Sequence, residues 1–200
     1  MKRSIALLAG IALLTAYGVS AQTAAPPLAQ PPVQQPTTKP AAQPPSLTSA
    51  KADPWAGVRF LLGLWGAKTT GGVAQAQVSA SYSFRLELRD HVLARHSRSG
   101  SCSAPDDFDC LHSDLLYIYP SANGQTLEAI YFDNEGHIIH YAVSTPKPGT
   151  VVFLTDPAQP GPQYRLSYTL LDGVMTGQFE MKMPGQTDFI SYLEWSGKRQ

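Results

Sequence analysis

Cysteine is almost missing from this 200-residue chain, which holds only Cys102 and Cys110. With no cysteine ahead of Cys102, a lipid anchor at the expected leader cut is not expected. Long apolar runs are missing as well. The one behind Met1-Lys2-Arg3 is well short of the roughly 20 residues that a membrane-spanning helix needs, and no second run follows it to stop transfer. No surplus of positive charge exists, because Lys and Arg together number 15, as do Asp and Glu. Nucleic acid is therefore not an expected partner, since its affinity comes largely from cations on phosphates. The usual marks of catalysis are also lacking: there is no G-x-S-x-G elbow and no glycine-rich phosphate loop ahead of a helix, and the two cysteines are expected to bond to each other. The chain is expected not to be an enzyme, with a hydrolase or a haem-dependent activity as the minor alternative.

What is present begins with a leader. The basic start, the Ala- and Leu-rich run and the small residues Val19-Ser20-Ala21 read as a secretory signal cut after Ala21. The mature protein is then expected in the periplasm or the medium, and losing Lys2 and Arg3 leaves it acidic by two charges. Residues 22–52 are rich in proline, with Pro26, Pro27, Pro31, Pro32, Pro36 and Pro40 spaced by Ala, Gln and Thr. Such a stretch has too little apolar surface to offset the entropy of ordering it, so a disordered, partly extended linker is expected. In an exported chain Cys102 and Cys110 are expected to form a disulfide, which for so short a loop contributes roughly 2–3 kcal/mol in the chain-entropy model. A zinc site on the same pair would need two more ligands, and His112 is the only obvious one nearby.

From Asp53 to Gln200 proline thins and aromatics appear, giving one domain. Asp53 before Pro54 suits a helix start, and Trp55, Val58, Phe60, Leu61 and Leu62 suit one short helix ending near Gly63. The period then changes to two. Val78, Ala80, Tyr82, Phe84, Leu86 and Leu88 alternate with polar residues, the pattern of a long strand wet on one face. Further strand-like runs continue to Phe189–Trp195, about ten in all once the segment after Trp65 is included. Asp172-Gly173 suits a two-residue turn with both residues at positive φ, and Asn123-Gly124 and Pro184-Gly185 are similar signals in longer loops. Successive strands are thus antiparallel neighbours, with no room for crossover helices. A sheet of that size leaves two sticky edges unless it closes, so an all-β, ten-stranded antiparallel up-and-down barrel preceded by one short helix is expected.

The segment YFDNEGHIIHY (131–141) looks at first like a metal site. If Gly136 ends a three-residue loop, Asn134-Glu135-Gly136, then Tyr131 pairs with Ile139, Ala129 with Tyr141 and Leu127 with Val143. His137 and His140 then point to opposite faces and cannot share an ion. His91 and His96 differ by an odd number and also face apart, and the acidic Asp106–Asp109 loop lacks the ligand spacing of a calcium loop. No metal is expected. Eight tyrosines lie in the domain, most of them in phase with apolar strand residues, where a buried hydroxyl needs a partner. Tyr82, Phe84, Tyr117, Tyr131, Tyr141 and Phe179 are the candidate lining of an interior pocket. His140 is a minority candidate, an exterior position near Glu128 being the stronger expectation.

Gly63-Leu64-Trp65, after a short helix, resembles the G-x-W that opens the first strand of lipocalin-like barrels. In such barrels the tryptophan closes one end beneath a basic side chain from the last strand, a part the resemblance gives to Lys198 or Arg199. With YFDNEGHIIHY and PGQTDFISYLEWSGKR, the pattern is similar to an uncharacterised bacterial family of calycin and fatty-acid-binding-type barrels. Nitrobindin-type haem barrels are related, but Trp65 is not followed by their alternating glycines and the last two strands carry no histidine, so haem is disfavoured. Arg165 and Tyr168, three apart, would not point together to hold a fatty acid carboxylate. The expected role is binding of a small hydrophobic or amphipathic molecule in the barrel. The alternative is a filled barrel acting as a protein-interaction module of the cell envelope.

Overall fold

The computed structural model describes residues 53–200. The leader and the proline-rich linker expected over residues 1–52 lie outside the described residues.

Ten strands follow in chain order: β1 (Gly63–Gly71), β2 (Gln77–Glu87), β3 (Val92–Ser103), β4 (Asp114–Pro120), β5 (Leu127–Asp133), β6 (Ile138–Lys147), β7 (Thr150–Leu154), β8 (Gln163–Leu171), β9 (Val174–Lys182) and β10 (Ile190–Lys198). Each pairs antiparallel with its chain neighbours, and β1 also pairs with β10, closing the barrel. The ten-stranded antiparallel up-and-down barrel expected from the alternation and the turns is therefore present. Closure removes the free edges that would invite pairing with other chains.

The turns follow the local chemistry. Asp172 and Gly173 have φ of 51° and 78°, the pair of positive values that a tight hairpin with right-handed strand twist requires. The β5–β6 hairpin has the expected register, with Leu127, Ala129 and Tyr131 opposite Val143, Tyr141 and Ile139, and Gly136 at φ 90°.

The segment before β1 is less regular than the helix expected there. Asp53 does cap it, its Oδ1 accepting from the Trp55 amide at 3.0 Å. Continuous turns then lead only to a 3-10 helix over Arg59–Leu61. Gly57 and the β-branched Val58 disfavour a longer α-helix. The segment still closes one end of the barrel: Trp55, Val58, Leu61 and Trp65 are all buried. Trp65 Nε1 donates to Leu61 O at 2.7 Å, and Trp55 Nε1 donates to Asp90 O in the β2–β3 turn at 3.0 Å. Of the two basic residues considered for the cover, Arg199 takes the position, its guanidinium carbon 4.5 Å from the Trp65 ring centroid. It donates to the carbonyls of Leu62 and Phe60 and leaves room over Gly63 for no side chain.

Candidate functional site

At the opposite end the barrel is not filled. A cavity of about 350 Å³ opens between the β3–β4 loop and the β5–β6 turn. Cys102 and Cys110 are joined, with Cα atoms 5.5 Å apart, and the loop they close brings Phe108 over the mouth. Phe108 stacks on Tyr192 of β10 with ring centroids 6.5 Å apart. The aromatic wall continues inward, Phe179 meeting Tyr192 edge to face and stacking on Tyr164 at 5.7 Å.

Of the residues that the sequence put forward, Tyr82, Tyr131, Tyr141 and Phe179 line this cavity. Phe84 is inside the barrel but in its packed part, 5.9 Å from Tyr82 and 5.5 Å from Tyr168 between ring centroids. Tyr117 must be corrected. The inner residues of β4 are Asp114, Leu116 and Ile118, so Tyr117 falls on the outer face, where it packs against His96 at 6.5 Å. His140 must also be removed from the lining: it is exposed on the outer face of β6, opposite Ile130, and its inner neighbours are Ile139 and Tyr141. His137 Nδ1 lies 2.8 Å from Asp133 Oδ2, an exposed imidazole on a buried carboxylate.

The residues that sequence reasoning passed over are charged. Arg95 on β3 and Asp114 on β4 form an ion pair whose side chains are 8% and 7% exposed. Arg95 also donates to the Tyr168 hydroxyl, which fixes that ring against Trp195 at 5.7 Å. Arg165, by contrast, faces outward from β8 and holds Glu180 at 2.5 and 2.6 Å, so it and Tyr168 do part as their spacing requires. Burial pushes the Asp114 carboxyl up, but the Arg95 guanidinium and the His112 hydrogen bond outweigh burial and hold it at about 2. Arg95 likewise feels burial first and keeps its charge through Asp114.

His112 extends the network to the mouth. Its Nδ1 lies 2.8 Å from Glu135 Oε1, and its Nε2 lies 3.1 Å from the Tyr131 hydroxyl and 3.4 Å from Asp114 Oδ2. The hydrogen bond to Asp114 raises its pKa to about 9 against the opposing effect of burial, with Glu135 adding to the rise. At neutral pH His112 is therefore a cation between two carboxylates. Ligand atoms of Asp109, His112 and Glu135 fall within 4.8 Å of one another, a grouping able to hold a metal ion.

A pH dependence of stability follows. Because the folded pKa of His112 lies above its unfolded value near 6.5, its stabilising effect is complete below pH 6.5 and disappears as pH rises through about 9. The groups facing it are Asp114, Glu135 and Tyr131, with Asp109 and Asp133 nearby. Since the ring is about one-third exposed, solvent screening reduces the expected loss to the order of 1 kcal/mol. Urea midpoints at pH 6 and pH 9.5 measure it; a His112→Gln variant should show a smaller difference between the two.

Compared with models of known protein families and with curated proteins, the chain matches none. The geometry of the barrel interior therefore carries the functional reading.

Proposed function

We propose that this domain binds a small hydrophobic or amphipathic molecule inside its barrel, as an exported carrier or sensor tethered by the proline-rich linker. The observation that supports this most is the 350 Å³ cavity with a mainly aromatic and aliphatic lining. Small-molecule sites have volumes of about 300–1,000 Å³ and combine an apolar wall with a few placed polar groups. Here the polar side chains of the wall include Arg95, Asp114, His112 and Tyr131, with Asp109 and Glu135 beside them. The resemblance of G-x-W and its arginine cover to lipocalin-like barrels points the same way, and the leader and disulfide suit an oxidising compartment outside the cytoplasm.

Native mass spectrometry of protein purified from its own host tests the proposal, with a co-purifying small molecule as the expected result. A neutral hydrophobic fluorophore, N-phenyl-1-naphthylamine, should bind with enhanced emission. Phe179→Ala removes part of the wall without touching the charged network and should weaken fluorophore binding about tenfold, the effect of losing roughly 1.4 kcal/mol of apolar contact. No adduct and no fluorophore binding by folded protein would overturn the carrier role.

A further inference from the structure

The barrel wall has a notch at its open end. β3 pairs with β2 as far as Ser103, but with β4 only from Leu93 to His96. Beyond His96 no ladder joins β3 to β4, and the connection between them, residues 104–113, forms neither strand nor helix. That connection nevertheless lines the cavity with Asp107, Phe108, Asp109, Cys110 and His112. Among the described residues, the β1–β2, β7–β8 and β9–β10 loops at the same end contribute none of the lining. On this side a loop does what a backbone ladder does elsewhere.

Two kinds of tie hold that loop. Its second half is bonded to the β5–β6 turn: Asp109 Oδ2 accepts from Asn134 Nδ2 at 2.9 Å, the Ser113 amide donates to Asn134 Oδ1 at 2.8 Å, and the Asn134 amide donates to Ser113 O at 3.1 Å. The first half carries Phe108 across the mouth to Tyr192, and the Cys102–Cys110 bond pins it back to β3. Because that bond joins residues only 8 apart, Phe108 sits in a small closed ring with little freedom. Opening the bond would restore the conformational entropy that the ring removes. The stack of Phe108 on Tyr192, at two half-buried positions, is a weak hold by comparison. Both cysteines are themselves half-buried and line the cavity near its mouth, where a small thiol can reach them.

We infer, on the basis of the carrier reading, that the β3–β4 loop is a lid over the cavity and that its disulfide sets how long a bound molecule stays. While Cys102 and Cys110 are joined, Phe108 is kept over the mouth and the occupant is retained. A dithiol reductant opens the lid: one of its thiolates attacks a sulfur of the pair, the Cys102–Cys110 bond breaks, and its second thiolate resolves the mixed disulfide. Two electrons pass from the dithiol, which becomes a disulfide, and each freed cysteine sulfur takes up a proton. The lid then swings on its ends and the occupant leaves.

Stopped-flow mixing of N-phenyl-1-naphthylamine with the full chain, oxidised and after dithiothreitol, tests this. Reduction should raise the exit rate about fivefold, within what the loss of one aromatic pair is worth, and should raise the entry rate as well. The Cys102→Ser, Cys110→Ser double variant should behave like the reduced protein without any reductant, and Phe108→Ala should exchange fast even when oxidised. Phe179→Ala is the comparison: a wall residue loosens the occupant, so it should speed exit and leave entry unchanged. Entry and exit indifferent to reduction and to both sets of variants, or a change in exit alone, would overturn the lid while leaving the carrier role intact. Circular dichroism follows the barrel throughout. Reduction that unfolds it would overturn the redox step, and Phe108→Ala would then decide the lid. If the fluorophore does not bind the oxidised protein at all, the carrier role fails and the lid with it.

Discussion

Asp114→Ala is expected to lower the stability of the barrel by about 3–5 kcal/mol, the range found when one partner of a buried ion pair is deleted. The variant would leave the Arg95 guanidinium in an interior where its remaining hydrogen-bond partner is the Tyr168 hydroxyl. Ser97, whose hydroxyl accepts from the Asp114 amide at 3.2 Å and lies 3.5 Å from the Asp114 carbonyl, bonds only the backbone of Asp114, so that contact should survive. The cost is thus electrostatic. Removing both charges as Arg95→Met with Asp114→Leu should recover more than half of the loss, because apolar replacements of similar size often match or exceed a buried pair. Urea unfolding of the single and double variants measures both. A second readout is the titration of His112 by NMR, which should fall from about 9 toward its ordinary range once Asp114 is gone. A loss below 1 kcal/mol for Asp114→Ala, or a double variant worse than the single one, would mean that the pair is solvated despite its burial.

The barrel was legible in the sequence because strands and turns write themselves in local terms. A period of two fixes which side of β2 faces inward, and Asp172-Gly173 and Asn134–Gly136 fix two hairpin registers without reference to the rest of the chain. Tyr131 and Tyr141 could be placed in the cavity for that reason. Tyr117 was misplaced because its own strand carries apolar residues on both faces: Leu115, Tyr117 and Tyr119 outside, Leu116 and Ile118 inside, with a charge, Asp114, heading the inner row. Treating tyrosine as the inward residue inverted the strand. The site's charged core was illegible for a different reason. Arg95 and Asp114 meet only through the β3–β4 register, Arg95 opposite Leu116, and that register crosses a disulfide-closed loop with no turn signature. A signal did exist. Arg95 falls in phase with Leu93 on its strand, and Asp114 with Leu116, so each is a charge on an otherwise apolar inner face. Two such breaks on successive strands, opposite in sign, are what a buried pair looks like before the fold is known.

The seam between the first and last strands gives the other large expected effect. Gly197→Ala should destabilise the domain by about 3 kcal/mol or more, at the upper end of what overpacking costs. A Cβ at this position would lie 1.5 Å from the Gly66 carbonyl oxygen and 2.5 Å from its carbon, both rigid backbone atoms. Neither strand can yield at that point without opening the ladder that closes the barrel. That ladder is short: it pairs Lys68 with Ser196, Thr69 with Trp195 and, after a shift of register, Gly71 with Glu194, together with a bridge between Trp65 and Arg199. Forcing β10 away from β1 would therefore also pull Arg199 off the Trp65 ring and loosen the closed end. Gly136→Ala is the control, because a Cβ there meets nothing within 4 Å and suffers only the strain of φ 90°. That strain is worth about 1–3 kcal/mol and stays local to an exposed turn. Chemical unfolding should rank Gly197→Ala well below Gly136→Ala in stability. Only the seam variant should also lose fluorophore binding under conditions where it remains folded, since only there does the defect reach the wall that Trp195 contributes. A Gly197→Ala protein as stable as wild type would show that the first and last strands are not packed backbone to backbone, and the closed barrel on which the cavity depends would have to be given up.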